Sequence, residues 1–139
     1  MEKRYEAIEH TADFGIRAYG DSLSDLFTNA AVGMFSSIAD LTTVDPIHKR
    51  DISVTETDRE ALLVEWLREL LYLFSTDGII LSRFDIGHMT ERSLKARVYG
   101  ERYKQEKHTL HTEIKAVTYH GLEVIQAKGG WKAQIIFDA

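Results

Sequence analysis

Leu62-Leu63-Val64-Glu65-Trp66-Leu67-Arg68-Glu69-Leu70-Leu71-Tyr72-Leu73-Phe74 is the stretch on which the fold turns. Leu62, Leu63, Trp66, Leu67, Leu70, Leu71 and Phe74 recur at helical spacing and make one continuous apolar stripe, so this segment is a core-facing α-helix. Thr57 with Glu60 reads as a capping box at its start, and Asp77-Gly78 reads as its stop. Upstream, Leu23, Leu26, Phe27, Ala30, Ala31, Met34, Phe35 and Ile38 form a second stripe of the same period. Ser22 stands where an N-cap belongs, and Asp25 sits in the favourable acidic first turn.

Outside these two segments the period changes from helical to alternating. Phe14, Ile16 and Ala18 alternate with Gly15, Arg17 and Tyr19, and Ile52 and Val54 alternate with polar neighbours. Ile79 to Ile86 is apolar-rich. Leu94, Ala96 and Val98 alternate up to Gly100, and Ile114–Tyr119 and Leu122–Ala127 flank a turn at His120-Gly121. The last strand runs from Trp131, with Ala133, Ile135 and Phe137 on one face and Lys132, Gln134, Ile136 and Asp138 on the other. Two helices among six or seven strands bunched toward the C-terminal half predict an α+β fold. The expected architecture is a mostly antiparallel sheet flanked by the two helices. The short gaps between the later strands favour hairpins over crossovers.

Composition narrows the class. At 139 residues, with no repeat or linker-like tract, the chain is expected to form a single domain over 1–139. Hydrophobic residues make up 44% against a net charge of −5, which is too apolar for a disordered chain. There is no Cys, which removes disulfides, thiolate metal sites and thiol catalysis. The longest apolar runs, such as Leu70–Phe74, fall far short of the roughly 20 residues of a membrane span. Met1-Glu2-Lys3-Arg4 leads into no apolar signal region, so a cytoplasmic location is expected. The acidic balance argues against strong autonomous binding to nucleic acid, which rests on neutralising phosphates.

Familiar catalytic motifs are missing. The chain has no glycine-rich phosphate loop and no Gly-x-Ser-x-Gly elbow, and Gly129-Gly130 precedes a strand where a phosphate loop would open a helix. Of the six His, His48 and His88 lack companions at ligand spacing. His108 and His111 fall in the polar run Glu101–Glu113, read as a solvated hairpin with a surface role for both. Glu9-His10-Thr11-Ala12-Asp13-Phe14 places an imidazole and a carboxylate in a tight connection between two strands. A second carboxylate, Asp138, follows the last strong strand. If Asp13 and Asp138 were neighbours, their mutual repulsion would call for a cation, and all-oxygen donors would select a hard one. In Lys115-Ala116-Val117-Thr118-Tyr119-His120, alternation puts Lys115, Val117 and Tyr119 on one face and Ala116, Thr118 and His120 on the other.

Three separated blocks carry a family resemblance. His10-Thr11-Ala12-Asp13-Phe14-Gly15-Ile16-Arg17-Ala18, continued by Leu26-Phe27 and Ala30–Phe35, resembles the opening of the archease family. Leu62–Tyr72 resembles its second helix. Lys115–His120 and Trp131–Asp138 resemble its C-terminal signature. The resemblance spans nearly the whole chain, in order.

It implies a sheet flanked by two helices, and an accessory protein that is not itself an enzyme. The family assists the tRNA-splicing RNA ligase, promoting guanylylation of the ligase histidine and its turnover. It also implies a divalent cation, calcium foremost, held by Asp13, Asp138 and the backbone of Ala139, with Lys115 as a further functional residue and His10 and His120 nearby. Ala139 departs from the branched apolar residue the family commonly carries there, a change that a backbone ligand survives. The alternative functions are a chaperone or modulator of a tRNA methylase, a general chaperone, and a stand-alone metal-dependent hydrolase of RNA ends with His10 or His120 as general base.

Overall fold

A computed structural model describes residues 3–9 and 14–139. In chain order the elements are β1 (Tyr5–Glu9), β2 (Phe14–Gly20), α1 (Leu23–Ile38), a 3-10 turn (Leu41–Thr43), β3 (His48–Thr55), α2 (Arg59–Asp77), β4 (Ile79–Met89), β5 (Ser93–Arg102), β6 (Ala116–Val117), β7 (Glu123–Ala127) and β8 (Gly130–Asp138). The α+β class stands. The described residues form eight strands, all paired antiparallel, and they divide over two sheets. The larger runs β1-β2-β8-β6 with β7 also on β8, and the smaller runs β3-β5-β4. Alternation identified the strands but carries no information about which strand pairs with which.

Both helices bury the expected stripes. On α1, Leu26, Phe27, Ala30, Ala31, Met34, Phe35 and Ile38 are buried, and the Ser22 hydroxyl accepts from the Asp25 amide at 3.1 Å. On α2, Leu62, Leu63, Val64, Trp66, Leu67, Leu70 and Leu71 are buried. Its cap differs from the expected Thr57: the Asp58 carboxylate accepts from the Ala61 amide at 2.8 Å. Aspartate caps as well as threonine, and one residue of register decides between them. Gly78 ends the helix at φ 69°, a left-handed conformation that glycine adopts without Cβ strain.

The helices join the two sheets. α1 lies against β1, β2 and β8 of the larger sheet and β4 of the smaller, while α2 touches β3, β4 and β5 as well as β6 and β7. Trp66 sits at the junction, fully buried. Its indole N–H donates to the Phe27 carbonyl at 3.0 Å, and its ring meets Phe84 edge-on at 6.4 Å. One continuous core of aliphatic and aromatic side chains therefore fixes the larger sheet relative to the helices. The two ends of the β2–β8 pair become rigid platforms.

Candidate functional site

The first platform is the Asp138 end of β8. β2 faces β8 from Phe14↔Phe137 to Gly20↔Trp131. The Phe14 and Phe137 rings pack at 5.5 Å. On the other side of β8, Ala116 pairs with Asp138 and Val117 with Phe137. The Lys115 amide donates to the Asp138 carbonyl at 2.7 Å, and the Thr118 amide donates to the Ile136 carbonyl at 3.2 Å. The Thr118 hydroxyl donates to that same carbonyl at 2.8 Å, and accepts from the His120 amide at 3.2 Å. Lys115, Asp138 and Ala139 thus share an exposed corner above the buried Val117 and Phe137. The Asp138 carboxylate has no ion pair or hydrogen bond among the described residues.

Asp13 and His10 lie outside the described residues. Asp13 is bonded to Phe14, whose partner Phe137 is bonded to Asp138. Among the described residues, no group of three or more His, Cys, Asp or Glu side chains is placed to hold a metal ion. The described donors at this corner that adjoin Asp138, its carboxylate and main-chain carbonyls, are oxygens, which fits a hard cation.

Strand alternation did not extend through Lys115–His120. β6 is only two residues long, so Val117 is buried while Lys115 and Tyr119 are both exposed, and His120 enters a turn. What fixes this segment is a residue the sequence did not single out. Arg68 on α2 donates from Nε and Nη2 to the Val117 carbonyl, each at 3.2 Å, and from Nη1 to Glu65 at 3.0 Å. Its guanidinium also lies 5.2 Å from the centre of the Tyr119 ring. The helical period showed only that Arg68 falls off the apolar stripe.

The run Glu101–Glu113 also departs from expectation. His108 is buried, not solvated: its Nε2 lies 2.9 Å from the Glu101 carboxylate, and its Nδ1 accepts from the Lys104 amide at 2.9 Å. An Nδ1 that accepts carries no proton, so His108 is the neutral Nε2–H tautomer donating to Glu101. Lys107 donates to Glu101 at 2.9 Å and to Asp45 at 2.7 Å, and the Asp45 amide donates to Glu101 at 3.1 Å. The Lys107 ammonium foremost, with the Asp45 amide and His108 ring, holds the Glu101 carboxyl at about 2 against the cost of burial. This network anchors the loop that delivers Lys115 to β8, and Ala39↔Leu110 pairs it to the end of α1. Sequence periodicity cannot detect it, because a buried charge among polar neighbours resembles a solvated one. His111, by contrast, is exposed as expected.

No helix among the described residues is long and apolar enough to cross a membrane. Comparison with known proteins agrees with the fold. The model described as Archease protein family (MTH1598/TM1083) matches residues 5–139. A protein archease of Methanosarcina mazei is 45% identical over 140 residues, covering 98% of this chain and 96% of its own. The solution structure of Methanobacterium thermoautotrophicum protein 1598 superposes with a TM-score of 0.83 at 34% identity, covering 98% of this chain and 99% of that one. A crystal structure from Thermotoga maritima, described as an archease and possible chaperone, has a TM-score of 0.69 at 24% identity, covering 100% and 98%.

Proposed function

The chain belongs to the archease family, and from that premise we propose that it acts as an accessory protein of the tRNA-splicing RNA ligase, working through the acidic corner at the end of β8. The observation that carries the reading is the joining of Lys115 to Asp138 through a 2.7 Å main-chain hydrogen bond on an exposed edge. The Phe14↔Phe137 pairing supports it, since the residues bonded to those two are the acids Asp13 and Asp138. The carboxylates of Asp13 and Asp138 with the Ala139 carbonyl would hold a calcium ion. When bound, that ion supplies positive charge to ligase or nucleotide phosphates during transfer of a guanylyl group.

The chain's own residues have defined tasks at this corner. Asp138 offers a carboxylate that no described neighbour pairs with, and Lys115 presents a flexible ammonium to a phosphate or an acidic group of the ligase. β6 and β8 keep both on one rigid border, and Arg68 locks the segment from α2. His120 stands beside the edge on the turn that follows.

Multiple-turnover ligation of RNA ends, one bearing a 2′,3′-cyclic phosphate and one a 5′-hydroxyl, tests the reading. Adding the protein to limiting ligase is expected to raise product beyond one turnover. Absence of stimulation contradicts the proposal. Hydrolysis of the cyclic phosphate by the protein and metal without ligase would instead support a stand-alone hydrolase, and stimulation of a tRNA methylase in place of the ligase would support the modulator reading.

A further inference from the structure

The opposite end of the β2–β8 pair, where Gly20 faces Trp131, opens into a cleft of about 730 Å³. That volume lies within the roughly 300–1,000 Å³ of small-molecule sites. The length of β2 separates it from the Asp138 corner by about 20 Å, at roughly 3.3 Å per strand residue. One wall is built by a closed set of hydrogen bonds. The Arg4 Nε–H donates to Asn29 Oδ1 at 2.8 Å, Asn29 Nδ2 donates to the Tyr19 carbonyl at 2.6 Å, and the Tyr19 amide donates to the Arg4 carbonyl at 2.9 Å. This fixes the guanidinium plane while leaving its two terminal amino groups without a partner among the described residues.

The β7–β8 hairpin supplies the facing wall. Lys128 and Lys132 both line the cleft, and neither has an ion pair or side-chain hydrogen bond among the described residues. Arg4, Lys128 and Lys132, none with an ion pair among the described residues, line one cleft in a chain whose net charge is −5. Lys3 also lines the cleft but is paired with Glu6 at 3.0 Å. The Trp131 ring borders the same space and is held by Arg59, whose guanidinium lies 5.0 Å from its centre. Asp21 and Asp25 line the side nearest α1, whose N-terminus is already capped by Ser22 and adds nothing to the case.

We propose that this cleft binds a nucleoside phosphate. The phosphate lies between the Arg4 fork and the two lysines, and the base lies against Trp131. A preset guanidinium fork matches phosphate oxygens, and an indole offers a stacking surface to any base. The two aspartates disfavour a bare polyanion but can accept hydrogen bonds from ribose hydroxyls. This assignment goes beyond the accessory role and does not depend on it.

Calorimetric titration of the full chain with ATP tests the proposal. Saturable binding is expected, weakened about tenfold or more in Arg4→Gln and in the double variant Lys128→Gln/Lys132→Gln, the latter at unchanged thermal midpoint. The Lys pair serves as the second arm, because it touches none of the hydrogen bonds that hold β2 to α1. Asp138→Ala is expected to bind ATP normally, which separates this site from the acidic corner. Absence of saturable binding, or undiminished binding in both variants, overturns the proposal. Inorganic triphosphate competing as strongly as ATP overturns the nucleoside assignment.

Discussion

Replacing Arg68 with Ala removes the clamp that α2 places on the Lys115 segment. The guanidinium gives the Val117 carbonyl two N–H bonds at 3.2 Å, stacks at 5.2 Å on Tyr119 and pairs with Glu65 at 3.0 Å. Its side chain is 43% exposed, so each contribution is reduced by solvent. The pair of charged hydrogen bonds contributes about 1 kcal/mol after that reduction. The exposed stack adds roughly 0.5 to 1 kcal/mol, and the pair with Glu65 only a few tenths. The sum is about 1.5 to 2.5 kcal/mol, and it acts on a two-residue strand at the sheet border.

Most of that loss should therefore appear as local opening, because the core of α1, α2 and β8 does not depend on Arg68. The Lys115 and Thr118 amides, bonded to Asp138 and Ile136, report the opening directly. Native-state hydrogen exchange by NMR is expected to quicken at these two amides by about 10- to 50-fold in Arg68→Ala, at roughly tenfold per 1.4 kcal/mol. Amides of β2 should be unaffected. Arg68→Lys keeps the charge but not the fork, and should recover less than half the effect. Unchanged exchange at Lys115 and Thr118, or uniform acceleration through β2, would refute the clamp.

Three further outcomes follow from the packing and the buried charges. In Gly15→Ala the new Cβ would press on the main-chain oxygen of Ile135, well inside the 3.0 Å that real Cβ contacts keep; parting β2 from β8 should cost about 1–3 kcal/mol in urea denaturation. Trp66→Phe deletes the 3.0 Å bond to the Phe27 carbonyl and leaves a gap beside Phe84, so a loss of about 1–3 kcal/mol is expected by the same assay. Because the folded state lowers the Glu101 carboxyl to about 2, its ionised form stabilises the protein above the ordinary carboxylate range, and that stability drains away as pH falls from about 4.5 toward 2. Thermal midpoints should fall across this window in the wild type and change less steeply in Glu101→Gln.

The helices were legible because each buries a stripe long enough to outvote local exceptions, as the burial of Leu62 through Leu71 shows. Strand existence was legible for the same reason. Pairing was not, since Ile52 and Val54 alternate identically whether β3 joins β5 or β8. That ambiguity is why one sheet was expected and two are found. The segment ending at His120 was misjudged in orientation because alternation requires a continuing strand, and β6 stops at Val117. Resemblance singled out Lys115 and Asp138, and the β6–β8 register then joined them. Arg68, Glu101 and the Arg4–Asn29–Tyr19 wall were invisible in the sequence. Their decisive partners lie 6 to 56 positions away, beyond the reach of local spacing rules.

The acidic corner is tested most directly by ligation at limiting ligase with Asp13→Ala, Asp138→Ala and Lys115→Ala. Arg97→Ala serves as a control, since its pair with Asp51 lies on the smaller sheet. The three corner variants are expected to lose stimulation while keeping wild-type thermal midpoints, and Arg97→Ala to stimulate fully. Full stimulation by both Asp13→Ala and Asp138→Ala would rule out the acidic corner as the working surface.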